Sequence, residues 1–252
     1  MKKVLYLGDT SLSGSASYLA AIMAYHNVDF DYLPSDSKFD DQLLNNDYCA
    51  FVISDYPAAN FSESQIDKII LKIKSGAGLL MIGGWESFTG LAGSYNRTAL
   101  TEVLPVIMED FDDRMNLYCP SLVVRNQSHI ITDALPIESH TPLMGGFNRF
   151  RVKRFGCEVL SIQLFKAEQN NNDFKFTIEE RYPLLVTGAF GDANITAFAS
   201  DVAPHWVGPL VDWGDKRITS KAPYGEQVEV GNWYAQLFIN MIFWTANMEV
   251  KC

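Results

Sequence analysis

Asp9, Asp55, Glu86, Asp201 and His205 are the side chains of this sequence best placed to move protons or to hold a polar ligand. Each stands at or just after the end of a short apolar run that reads as a β-strand. The stretch GLLMIGGWESFTG, residues 78–90, is the most pointed of these runs. There a buried-type strand meets Gly83 and Gly84 and then Trp85 and Glu86, the pattern of a turn that presents a reactive group. Carboxylates and an imidazole gathered at one place can serve as general acid and base, or can fix a ligand by hydrogen bonds. An Asp after a strand is also a routine turn-former or helix N-cap, so Asp9 and Asp55 taken singly keep both readings. His205 keeps two as well, a general base or ligand against a hydrogen-bonded turn residue.

These residues share a rim only if the elements before them lie side by side. The first half alternates strand and helix. Strands are predicted over residues 3–7, 29–33, 49–54 and 79–82, and helices over 15–25, 40–46 and 62–75. In the last helix Ile66, Ile69, Ile70 and Ile73 fall on one face, with Ser62 as N-cap and Gly76 as C-cap. Strands joined by helices in this order make a doubly wound parallel sheet with helices on both faces. In such a sheet, ligands bind beyond the carboxyl ends of the strands, which is where Asp9, Asp55, Gly83, Gly84, Trp85 and Asp201 are predicted to gather.

The second half changes character. Residues 122–124, 150–153, 159–164 and 174–178 read as antiparallel strands, with a polar turn over 169–173. The parallel theme is predicted to return at 183–187 and 195–200, followed by a final helix over 232–247. Residues 204–230 read as an irregular loop rich in Pro, Gly, Trp and charge, with Trp206, Trp213 and Tyr224 offering a subunit interface. Gly145-Gly146 reads as a turn. His26, His129 and His140 lack metal-ligand spacing and read as structural. No repeat or linker divides the 252 residues, so one domain over 1–252 is expected.

Composition sets limits on partners. A formal net charge of −10 and the lack of a Lys/Arg cluster argue against a nucleic-acid role. Asp9 interrupts the apolar N-terminal run before a signal-peptide core or membrane span is complete, and the late apolar segment 233–244 is too short to span. Four scattered cysteines, Cys49, Cys119, Cys157 and Cys252, suggest neither a disulfide framework nor a structural zinc site and fit a reducing cytoplasm. No dinucleotide, P-loop or zinc-protease motif occurs, and no cofactor is implied.

Taken with the order of elements, three segments carry a resemblance to a family: GLLMIGGWESFTG, the following TALTEVLPV, and the late ITAFASDVAPHW. Together they resemble the class I glutamine amidotransferase-like superfamily, and more closely its bacterial branch of amidotransferase-like cytoplasmic proteins. The resemblance covers most of the chain and implies a flavodoxin-like, mostly parallel sheet with an antiparallel extension. Glutaminases of that superfamily carry a nucleophilic Cys in a G-x-C-x-G turn and later a His followed closely by Glu. Carried onto this sequence, Gly83 puts Trp85 at the nucleophile position, and a shift to Gly84 puts Glu86 there. Ser87 fits neither register. His205 matches the family histidine but is followed by Trp206. The resemblance therefore implies the fold without the thioester chemistry.

Three functions compete at this level. The first is a ligand-binding protein without glutaminase activity, in which a small polar metabolite binds at the rim with Glu86 and His205 as acid/base groups. The second is a non-catalytic, self-associating scaffold, a homo-oligomer formed through residues 204–230. The third is metal-assisted hydrolysis by Asp9, Asp55, Asp201 and His205.

Overall fold

A computed structural model describes residues 3–171 and 173–250, so Cys252 and part of the predicted 169–173 turn lie outside the described residues. The first half is built as alternation predicts: β1 (Lys3–Gly8), α1 (Ala16–Tyr25), β2 (Asp29–Leu33), β3 (Tyr48–Ser54), α2 (Glu63–Lys74) and β4 (Gly78–Ile82). The predicted 40–46 helix is a single 3-10 turn, Asp41–Asn45. Then come α3 (Leu100–Val103), β5 (Val106–Met108), β6 (Arg114–Arg125), β7 (Leu143–Asn148), β8 (Phe150–Val152), β9 (Cys157–Asn170), β10 (Asp173–Phe190) and β11 (Ala193–Phe198). The chain closes with α4 (Pro204–Val211), the ribbon β12 (Arg217–Lys221) and β13 (Gln227–Gly231), and α5 (Asn232–Thr245).

Nine strands form the central sheet in the order β2-β1-β3-β4-β11-β10-β9-β6-β7. From β2 to β11 all neighbours are parallel. From β11 onward they are antiparallel. The strands β1, β3 and β4 are buried almost end to end, as strands covered on both faces must be. β2, at the edge, is only half-buried. The chain steps from β1 to β2 in one direction and from β3 to β4 in the other. Right-handed crossovers then put α1 and α2 on opposite faces.

Local chemistry explains the helix boundaries. Ser62 Oγ accepts from the Gln65 N–H and Gln65 Oε1 accepts from the Ser62 N–H, a complete capping box. At the other end the cap is Ser75, and Gly76 takes the left-handed position just beyond it at φ 106°. Helix α5 is buried on nearly every side, and the Asn240 amide within it donates to the Ile131 carbonyl at 2.9 Å.

Three expectations fail here. Residues 183–187 are not a returning parallel strand but the inner part of β10, antiparallel to both β9 and β11. The link from β10 to β11 is two residues long, with Gly191 at φ 60°; so tight a link can only join antiparallel strands. Residues 204–230 are not irregular, since they form α4 and the β12–β13 ribbon. Trp206 and Trp213 point inward, their indole N–H groups donating to Asn116 Oδ1 (2.7 Å) and the His140 carbonyl (2.6 Å). Gly145-Gly146 lies within β7 rather than in a turn, and a Cβ on Gly146 would fall 2.4 Å from the Trp206 ring.

Candidate functional site

Because β1, β3, β4 and β11 are consecutive neighbours in the sheet, the residues that follow them meet at one rim. Asp9 follows β1, Asp55 follows β3, the Gly83-Gly84-Trp85-Glu86 turn follows β4, and Asp201 comes shortly after β11. Asp9 and Asp55 both take left-handed backbone, φ 42° and 49°, which turns the chain sharply off the strand. Gly8 makes the first turn possible, since any Cβ there would overlap the Ser54 carbonyl oxygen.

The rim is a cluster of buried carboxyls that suppress one another's ionisation. Burial pushes the Asp9 carboxyl up to about 8, with the Asp201 charge adding to the rise and a hydrogen bond from the Tyr6 hydroxyl opposing it. Burial also raises Asp55 well above the carboxylate range, with Asp201 and Asp9 reinforcing it. Asp201 is raised to about 6, again chiefly by burial, and is restrained by the Ala203 and Val202 N–H groups and by His205. Glu86 is half-buried and raised by burial. At neutral pH Asp9 holds its proton, so the cluster carries a donor beside ionisable acceptors. Asp201 Oδ1 accepts from Ala203 N–H at 3.1 Å, which ties it to the entry of α4.

The glycine turn is held from two sides. On one, Asp55 Oδ1 accepts from the Glu86 N–H (2.8 Å), and Ser87 Oγ accepts from the Asp55 N–H (2.9 Å). On the other, Asn148 Oδ1 accepts from the Gly84 N–H (2.7 Å), while its amide nitrogen donates to the Gly84 carbonyl (3.0 Å) and to Asp113 Oδ1 (2.8 Å). Asp113 also accepts from the Thr89 and Gly90 N–H groups. Both glycines are required. A Cβ on Gly83 would lie 2.3 Å from the Ala199 carbonyl oxygen, and one on Gly84 2.0 Å from Asp55 Oδ1.

This turn is not a strand-to-helix elbow. The left-handed positions fall on Gly84 (φ 152°), Phe88 and Gly90, not on Trp85 or Glu86, and α3 begins only at Leu100. Trp85 is 42% exposed, with the Arg114 guanidinium 4.5 Å from its ring centre and the His205 ring 5.5 Å away. Arg114 is fixed in turn by a bidentate pair with Asp112. The exposed His205 thus contacts Trp85 by its ring and lowers Asp201 by its charge.

Every residue singled out in the sequence for this rim is present at it. Asp113 and Asn148, which hold the turn, gave no local signal: Asn148 is 64 residues from Gly84, and Asp113 sits in the acidic run EDFDD, which reads as solvated surface. Among the described residues, no three His, Cys, Asp or Glu side chains are grouped so as to hold a metal ion. The third reading, metal-assisted hydrolysis by Asp9, Asp55, Asp201 and His205, thus finds no such grouping among the described residues; Asp55 and Asp201 accept from backbone N–H donors instead. Cys49 lies near the start of β3, at the end away from Asp55. Six residues of strand separate the two positions by about 20 Å.

Comparison with known proteins agrees with this fold. The family model GATase1_like, described as "Putative glutamine amidotransferase", matches residues 11–219. Among solved structures, the cytoplasmic protein STM1381 of Salmonella typhimurium LT2 is 30% identical over 82% of this chain and 91% of its own, with a TM-score of 0.66. The cytoplasmic protein STM3548 of Salmonella typhimurium is 26% identical over 95% and 97%, with a TM-score of 0.71. The mmIFT52 N-terminal domain matches over 100% of both chains at 11% identity and a TM-score of 0.56, and shares the fold alone. No curated protein matches the chain.

Proposed function

The chain belongs to the GATase1_like family of glutamine amidotransferase-like proteins, and from that premise we propose that it binds a small polar ligand at the carboxyl rim of the sheet and lacks glutaminase activity. The observation that carries this reading is the joining of Asp9, Asp55, Asp201 and Glu86 at one rim beside a turn that offers Trp85 and Glu86 where the family's glutaminases need a thiol. A thioester needs a sulfur nucleophile on a strained turn with N–H groups facing the oxyanion. Trp85 cannot attack, Glu86 is not on left-handed backbone, and the Ser87 hydroxyl is buried against the Asp55 N–H.

What remains is acid/base capacity. Two carboxyls whose environments set them about two pH units apart, Asp9 near 8 and Asp201 near 6, form a donor and acceptor pair at neutral pH. Glu86 and His205 flank them at the more open side. A ligand bearing an amine or a hydroxyl suits such a cluster, since a positive or donating group offsets the desolvation that chiefly raises these pKa values and the Asp201 charge that adds to it at Asp9 and Asp55. Buried Ser54 Oγ, one residue before Asp55, has no hydrogen-bond partner among the described residues, which supports a polar guest nearby. The two Salmonella relatives are titled cytoplasmic proteins, and no helix among the described residues is long and apolar enough to cross a membrane. A cytoplasmic site of action fits both facts.

The test is a thermal-shift panel of small polar metabolites, amines included. We expect at least one to stabilise the protein and Asp201→Asn or Glu86→Gln to remove that stabilisation. A flat panel, or shifts that survive both substitutions, would refute the rim as a binding site. Ammonia release from glutamine at any rate above the uncatalysed background would refute the loss of glutaminase activity.

A further inference from the structure

Of the three aromatic side chains expected to form a subunit contact in residues 204–230, Trp206 and Trp213 turn inward and only Tyr224 is open, at 96% exposure, yet a different and larger apolar surface lies open. Among the described residues, 165–170 of β9 and 173–178 of β10 pair only with each other, beyond the last β9 residue that pairs with β6, Gln163. Their register is Phe165 with Ile178, Ala167 with Phe176, and Gln169 with Phe174. Side chains alternate across a strand and directly opposed residues share a face. One face of this ribbon therefore carries Phe165, Ala167, Gln169, Phe174, Phe176 and Ile178, without a single charge. The other face carries Lys166, Glu168, Lys175 and Thr177, with an ion pair of 2.7 Å between Lys166 and Glu168. The Phe165 and Phe176 rings, 6.1 Å apart, meet on the uncharged face.

This is the pattern of an antiparallel sheet with one face on a core and one in water, but among the described residues the apolar face is left open. Phe174, Phe176 and Ile178 are 60%, 65% and 65% exposed. A two-stranded ribbon is at best marginally stable in water without a third strand or a packed face. We propose that residues 165–170 and 173–178 form a dimerisation arm, whose uncharged face packs on the same face of a second copy of this chain.

Two arguments select a second copy. A net charge of −10 opposes contact between copies over most of the surface, so a second copy meets this one favourably only through faces that, like this one, carry no charge to desolvate. A symmetric pairing of one patch with itself is also the commonest way in which soluble chains associate. The area suffices as well. A Phe buries about 150–250 Å², so three large side chains some two-thirds exposed, with their smaller neighbours, offer roughly 500 Å² per copy. The pair would bury about 1,000 Å², the lower limit for a specific interface.

Sedimentation velocity on the full chain, from about 1 to 100 μM, tests the arm. The wild type is expected to dimerise in that range, and F174E/F176E to be monomeric throughout, a loss of at least 100-fold in affinity. Thr177→Glu, on the charged face of the same ribbon, is expected to dimerise like the wild type. Because the substituted side chains are exposed, all three proteins should share a far-ultraviolet circular dichroism spectrum, which separates lost association from lost folding. A wild type that stays monomeric at 100 μM would overturn the proposal. So would a dimer that survives F174E/F176E, or one that Thr177→Glu disrupts equally.

Discussion

The rim turn after β4 and the β9–β10 arm both carry bulky side chains outside regular packing, and they are stabilised in opposite ways. In the turn, the backbone of Gly84, Glu86, Thr89 and Gly90 is held by side chains of Asp55, Asp113 and Asn148, distant in sequence and largely buried. In the arm, the bonds run between adjacent strands and the apolar side chains face water. Conformation is specified by tertiary contacts in the turn and by the strand pattern in the arm. The turn is therefore built to keep one shape, and the arm to offer a surface.

That contrast predicts a graded response to substitution. Gly84→Ala should cost most, about 3 kcal/mol or more, because it adds both a strained backbone and an overlap with Asp55 Oδ1. Chemical denaturation measures it, and a loss under 1 kcal/mol would mean the turn is loosely held. Asn148→Ala should come next at about 2–3 kcal/mol, since it strands the buried Gly84 N–H and one contact of Asp113. Denaturation of Asp113→Asn provides the comparison, with a smaller loss because its acceptor oxygen remains.

Asp9→Asn should instead stabilise, and only at higher pH. The folded-state pKa near 8 lies above an unfolded value near 3.9. The protonated group's contribution is thus fully present below about pH 4 and is lost as pH rises through 8. The variant should gain up to about 5 kcal/mol over the wild type at pH 8.5, about four pH units between the two values at about 1.36 kcal/mol each, and under about 1 kcal/mol at pH 4.5, read as melting temperature against pH. An equal gain at both pH values would break the account of the carboxyl cluster. Smallest of all, Phe176→Ser should change the stability of the monomer by less than about 0.5 kcal/mol, as exposed substitutions do. A large loss at low protein concentration would show that the arm packs within its own chain.

Much of this was legible in the sequence, and the reasons differ by region. Periodicity and caps gave the parallel half, because its strands are continuous apolar runs and its helices carry their own boundary signals, as with Ser62 and Gln65. Rim residues followed from topology, since whatever succeeds a parallel strand must stand at the carboxyl edge. The antiparallel half misled at 183–187, where an apolar run reads the same in either direction and only the two-residue turn at Gly191 decides. Residues 204–230 misled because Pro204 and Pro209 conceal the short helix α4, and because the burial of Trp206 depends on Gly146, 60 residues earlier in the numbering. Asn148 and Asp113 were invisible for the same reason, as their partners are far away in sequence and no local pattern marks a polar side chain for burial.

Titration of the aspartate carboxyl carbons by NMR tests the central claim most directly. The account predicts one aspartate titrating near pH 8 and another near 6, with Asp9→Asn abolishing the higher step and Asp201→Asn lowering it. If every aspartate titrated below about pH 5, and Asp201→Asn left Asp9 unmoved, the rim would hold no coupled carboxyl cluster and the proposed site would be contradicted.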